Sequence, residues 1–176
     1  NGTEPMHHGS FAASALRFPT VYESYAYSYP HKSAYTQFGT PCRLRDVWAN
    51  EHRDQLSLYI HVPFCGMRCG FCNLFTMANP KPQLTAHYLE AFERQAETLA
   101  EELDGARAAH FVIGGGTPTY LAAENLAHLM DTAIHLYKAD MKRIPSSEET
   151  SPGTASEERL AVLAERHVER ISIGAQ

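Results

Sequence analysis

Four short apolar runs alternate with longer stretches whose apolar residues recur every three or four positions. "LSLYIHV" (56–62) is a run of leucine, tyrosine, isoleucine and valine that ends at Pro63. It suits a buried strand whose C-terminal end opens into a loop. "LTAHYLEAFERQAETLAEEL" (84–103) then places Leu84, Tyr88, Phe92, Ala96, Leu99 and Leu103 on one stripe, which predicts an amphipathic helix ended by Gly105. "AHFVI" (109–113) is a second strand, and "GGGTPT" turns the chain into a second helix with Leu126, Leu129, Met130 and Ile134 on one face. A third unit has a weaker strand near "RIPSS" (143–147), a polar turn "EETSPG" (148–153) and a helix from about Ser156. Thr154 and Glu157 have the spacing of a capping box there. "RISIG" (170–174) is a fourth strand.

Strand and helix alternating in this way predict an α/β fold, a parallel sheet covered by helices. Right-handed crossovers place every strand-to-helix loop on one edge of such a sheet. The loops after the first three strands would therefore share one site. Residues 1–54, which include the tyrosine-rich "YESYAYSYPHKSAY", lack either period and read as an extended arm; residues 55–176 read as the α/β core. A complete eightfold barrel takes about 250 residues, so four strands and three helices fit either a truncated piece of a longer barrel or a smaller open sheet, and the abrupt "SIGAQ" end favours truncation. The unpaired sheet edge predicts poor solubility or association.

Composition narrows the class without naming a function. The chain has 176 residues, 44% of them hydrophobic, and a formal net charge of -5, with no broad basic surface to neutralise phosphates. Nucleic acid is therefore not an expected partner. No apolar run reaches the roughly 18 to 20 residues of a membrane span, and the start lacks the order of a secretion signal, so the cytoplasm is the expected compartment.

The cysteines change the picture. Three of the four lie in "CGMRCGFC" (65–72), while Cys42 stands alone and reads as a small buried side chain. Clustered thiols point to metal or catalysis rather than to a disulfide framework. Zinc closed by Cys65, Cys69, Cys72 and His61 is one use of them, but His61 is expected to alternate along its strand away from the loop. A four-iron cluster suits the run better: each thiolate binds one iron, and the fourth iron stays open for chemistry.

With "YIHVPFCGMRCGFC", "GGGTPTYL" and "RISIGAQ" in this order, the chain resembles the radical S-adenosylmethionine enzymes. Within them it looks like the oxygen-independent coproporphyrinogen III oxidase family, whose relatives include haem chaperones and haem-modifying enzymes. The resemblance covers about residues 56–176. It implies a partial (β/α) barrel, a [4Fe-4S] cluster on Cys65, Cys69 and Cys72, and S-adenosylmethionine bound at the open iron. An external electron donor would drive reductive cleavage of that cofactor to a 5′-deoxyadenosyl radical.

The resemblance also implies roles for seven further residues. Tyr59 and Phe71 correspond to S-adenosylmethionine contacts; by residue type alone, Tyr59 is more often a core aromatic. Gly115, Gly116 and Thr117 match the motif that meets the methionine end of the cofactor, where glycine allows close backbone approach and exposed amides would bind charge. On glycines alone a tight turn explains them. Glu149 matches an acidic cofactor contact, although Glu148 is an equal candidate without the family pattern. Gln176 matches a glutamine near the ribose.

One departure bears on the substrate. Coproporphyrinogen dehydrogenases often carry a further cysteine two residues after the third, and here Leu74 holds that place. The resemblance thus leaves two functions: oxidative decarboxylation of a porphyrinogen in haem biosynthesis, or a haem chaperone or haem-modifying relative with the same cofactor site. In both, the partner is a small molecule, porphyrinogen or haem.

Overall fold

The computed structural model describes residues 36, 37, 39–70, 72 and 74–174. Most of the expected arm, with Phe71 and Gln176, lies outside the described residues. Cys42–Gln176 forms one compact unit. It opens with the short helix α1 (Leu44–Val47), where Arg43 and Arg45 pair with Glu102 at 3.3 and 3.0 Å. The Arg45 hydrogen bond holds the partly exposed Glu102 carboxyl down at about 2. Cys42, expected to be buried, is exposed just before α1, on a segment too peripheral to enclose it.

The predicted alternation is present as β1 (Leu56–Val62), α2 (Pro82–Glu102), β4 (Ala108–Gly115), α3 (Ala123–Leu136), β5 (Ser146–Thr150), α4 (Glu157–Glu165) and β6 (Arg170–Ile173). Two short strands flank the cysteine loop: β2 (Phe64–Cys65) and β3 (Met77–Ala78). The main sheet is parallel in the order β1-β4-β5-β6, so each unit adds the next strand as in a growing barrel.

One face of this sheet carries the core. Ile60 and Val62 of β1 and Phe111 and Ile113 of β4 pack with Leu126, Leu129 and Met130 of α3 and Leu163 of α4. Side chains alternate across a strand, so Tyr59 and His61, Val112 and Glu149 fall on the opposite, less covered face. Tyr88 of α2 stacks edge-on against Phe64 at 5.1 Å between centroids and donates to the His61 carbonyl at 2.9 Å. That joins helix α2 to the start of the cysteine loop.

Two local expectations differ. The weak strand is displaced toward the C-terminus, so Glu148, Glu149 and Thr150 lie within β5 rather than in a turn. Ladder bonding to β4 and β6 overrides their low strand preference. No side chain caps α4, whose N-cap is Ser156. The Thr154 hydroxyl that the capping box would use instead meets Thr119 at 2.7 Å and Ser151 at 2.9 Å.

Candidate functional site

The C-terminal ends of β1, β4 and β5 meet as the right-handed rule requires. Three glycines make the meeting close. A Cβ on Gly114 would stand 3.0 Å from Glu149 Oε2 and 3.2 Å from Tyr59 Cε2. On Gly116 it would stand 2.6 Å from the Phe64 carbonyl oxygen and 2.9 Å from Cys65 Sγ, a space no side chain can share. Gly115 has φ +112°, which favours glycine, and a Cβ there would lie 2.8 Å from the His61 ring. The glycine loop thus runs in contact with both the first cysteine and the Tyr59–Glu149 face. Gly114 was not singled out from the sequence, although it belongs to the same glycine run.

The amides of this loop are already engaged. Gly115 N–H donates to Glu149 Oε2 at 3.2 Å, Gly116 N–H to the Val62 carbonyl at 2.7 Å and Thr117 N–H to the Phe64 carbonyl at 2.7 Å. The expectation that they stand exposed to bind charge therefore does not hold, because the loop uses them to bond β5 and the β1–β2 segment. What it presents is its close-packed surface and the Glu149 carboxylate.

β5 sends the two glutamates, equal candidates by residue type alone, to opposite faces. Glu149 is exposed beside Gly114 and Tyr59. Glu148 is fully buried on the helix side with neither carboxylate oxygen hydrogen-bonded, and burial pushes its pKa up to about 8. Tyr59, more than half exposed, is held by His61 Nδ1 at 3.0 Å, and burial of its ring and the nearby Glu149 charge raise its phenol pKa. His61 does reach the cysteine segment, since its Nε2 lies 2.8 Å from the Phe75 carbonyl. It meets a backbone oxygen there, so it braces the segment and leaves the thiols to other partners.

Cys65 is buried; Cys69 and Cys72 are partly exposed. Burial raises the Cys65 thiol pKa, the Thr117 hydroxyl at 3.7 Å pulls it back, and Cys72 and Cys69 add to the rise through like charge. Cys72 is shifted down, chiefly by the Thr76 hydroxyl at 3.6 Å and the Leu74 backbone. Thr76 is a partner that no sequence signal marked. Among the described residues, no three His, Cys, Asp or Glu side chains gather tightly enough for a single metal ion.

A cluster makes a different demand, because each thiolate binds its own iron and the sulfurs spread over the corners of the cube. Three soft donors on one loop fit that demand. The side-chain-free approach of Gly116 to Cys65 fits it as well. A cavity of about 300 Å³ lies elsewhere, at the N-terminal ends of β4, β5 and β6 between His110, Ser147 and Arg170, and no cysteine lines it.

Comparison with known proteins places this geometry. The chain is 34% identical over 120 residues to the heme chaperone HemW of Bacillus subtilis, covering 68% of this chain and 31% of that protein. It is 31% identical over 153 residues to the oxygen-independent coproporphyrinogen III oxidase of Bradyrhizobium diazoefficiens, covering 84% of this chain and 32% of that protein. Among solved structures, the coproporphyrinogen III oxidase HemN of Escherichia coli, a radical SAM enzyme, matches with a TM-score of 0.75 and 29% identity over 86% of this chain and 35% of its own. The chain spans about a third of the length of the curated relatives it matches. Residues 59–176 match the Radical SAM superfamily, and the chain belongs to that superfamily, in the group that holds HemN and HemW.

Proposed function

We propose that this chain supplies the cofactor half of a cytoplasmic radical S-adenosylmethionine protein acting on a porphyrin-type small molecule. The observation that carries the proposal is the junction at Gly114–Gly116, where Cys65, Tyr59 and Glu149 approach from three strands. Cys65, Cys69 and Cys72 would hold the [4Fe-4S] cluster. Tyr59, Phe71, Gly115, Gly116, Thr117, Glu149 and Gln176 would contact S-adenosylmethionine. When bound and reduced by an external electron donor, the pair supplies reductive cleavage to a 5′-deoxyadenosyl radical that takes hydrogen from substrate.

The protein's own part is positional. The Glu149 carboxylate, oriented by the Gly115 amide, can accept hydrogen bonds from the cofactor's amino or hydroxyl groups. The Tyr59 ring, propped by His61, offers an apolar wall beside it. Cys65 stays buried, which limits access of water and oxygen to the first ligand.

For the substrate, oxidative decarboxylation of coproporphyrinogen III is the first reading, since relatives bearing that activity in their names match across as much as 84% of the chain. Leu74 favours a second, haem delivery without turnover. It replaces the further cysteine and is half exposed beside the exposed Phe75. The deciding experiment uses the full-length protein, reconstituted anaerobically, and measures 5′-deoxyadenosine with and without coproporphyrinogen III, together with haem-binding stoichiometry. Cleavage stimulated by the porphyrinogen with loss of carboxyl groups supports the oxidase. Stoichiometric haem binding without cleavage supports the chaperone.

A further inference from the structure

Next to Glu149, the chain builds a closed set of hydroxyl hydrogen bonds that the cofactor contacts do not use. Thr119, fully buried in the 3-10 turn after the glycine loop (Pro118–Tyr120), meets the Thr150 hydroxyl at 2.6 Å and the Thr154 hydroxyl at 2.7 Å. Ser151 Oγ joins Thr154 at 2.9 Å, and Thr154 Oγ1 donates to the Ser151 carbonyl at 3.3 Å. Each hydroxyl has one proton to give and can accept two. Four protons serve four bonds if Thr150 donates to Thr119, Thr119 to Thr154, Thr154 to the Ser151 carbonyl and Ser151 to Thr154. Thr119 is the link between the glycine-loop side and the β5 side of that chain.

β5 is only five residues long, and beyond Glu148 it is paired with β6 alone. That stretch carries Glu149. Thr150 points to the helix side and Glu149 to the site side, so whatever fixes Thr150 fixes the backbone from which the Glu149 carboxylate projects. The Thr150 carbonyl is also held, accepting from Gly174 N–H at 3.0 Å. We infer that Thr119 is a positioning residue: its hydroxyl, through Thr150, aims the Glu149 carboxylate at the Gly115 amide and at the cofactor. The inference rests on the proposed role of Glu149 in binding S-adenosylmethionine.

The test is a double-mutant cycle on S-adenosylmethionine affinity in the full-length, cluster-loaded protein, read by equilibrium dialysis rather than by turnover. Thr119→Val keeps the shape and removes the hydroxyl; Thr119→Ser restores the hydroxyl. Thr119→Val is expected to raise Kd about tenfold with unchanged iron and sulfide content, and Thr119→Ser to stay within about twofold of the parent. In a Glu149→Gln background, Thr119→Val should add almost nothing. Should Thr119→Val not fold, Thr150→Val breaks the same link from the other side and is put through the same cycle. An additive effect in the Glu149→Gln background overturns the positioning role while leaving Glu149 as a contact. A Glu149→Gln protein that binds as tightly as the parent overturns both, and so identifies the failure as that of the Glu149 role.

Discussion

Gly115 N–H donates to Glu149 Oε2 at 3.2 Å across adjacent strands, binding the end of the glycine loop to the one carboxylate of β5 that faces the site. That bond ties two of the three converging strands together. The third is tied by backbone bonds, Gly116 N–H to the Val62 carbonyl and Thr117 N–H to the Phe64 carbonyl at 2.7 Å each, and by the contact of Gly116 with Cys65.

Gly116→Ala tests that contact. Its Cβ would press on the Phe64 carbonyl oxygen at 2.6 Å, a backbone atom that cannot swing aside as a side chain would. Overpacking of this kind costs about 1–3 kcal/mol. The expected outcome is a lower midpoint of urea unfolding and reduced iron and sulfide per chain after anaerobic reconstitution. Alanine at Gly153, where nothing lies within 4 Å, should leave both unchanged.

Cys69→Ala should abolish cluster assembly, since two thiolates cannot hold a four-iron cube. Iron and acid-labile sulfide in the reconstituted variant are the measurement. Full retention of both would remove Cys69 from the ligand set, and stoichiometric zinc without sulfide in the parent protein would point to a structural metal.

Glu148 gives stability an inverted pH dependence. Burial raises its pKa from 4.5 to about 8, so between those values the folded chain keeps a proton that the unfolded chain releases. Its contribution is complete below pH 4.5 and is lost as pH rises through 8. At 1.36 kcal/mol per pKa unit, the loss is on the order of 4–5 kcal/mol. Urea unfolding of the full-length protein at a series of pH values between 5 and 8 should show it, and Glu148→Leu should flatten the slope and raise stability most at the alkaline end. An unchanged slope in that variant would assign the dependence to other groups.

Tyr88→Phe separates support from binding. The lost hydrogen bond to the His61 carbonyl, 2.9 Å in the parent, should cost about 1 kcal/mol while the stack on Phe64 survives. Denaturant titration should register the loss. S-adenosylmethionine affinity should move less than twofold, because the Tyr59–His61 pair on the other side of β1 is untouched.

Where side-chain period and backbone pairing agree, the elements were legible. β1 matches the expected 56–62 run, α3 carries the expected apolar face and α2 does so except at Leu84, which is exposed, and Leu103, which follows the helix end; β6 falls within "RISIG". Where they conflict, the periodic pattern misleads. β5 buries Glu148 and Thr150, polar residues that read as a turn, because a strand between two partners is decided by ladder bonds its side chains do not report. The expected capping box failed for a related reason: the Thr154 hydroxyl had a nearer partner in Thr119, 35 residues away along the chain.

The sequence by itself determined the class of the fold, the set of thiols and the glycine run, because spacing along one segment is a local property that survives without tertiary contacts. Only the tertiary structure decided that Glu148 is buried on the helix side while Glu149 is exposed, that the loop amides are spent inside the protein, and that Thr119 links the glycine loop to β5. Each depends on register between segments far apart in the chain. A shift of one residue in β5 would exchange Glu148 and Glu149, and no pattern within the strand prevents it.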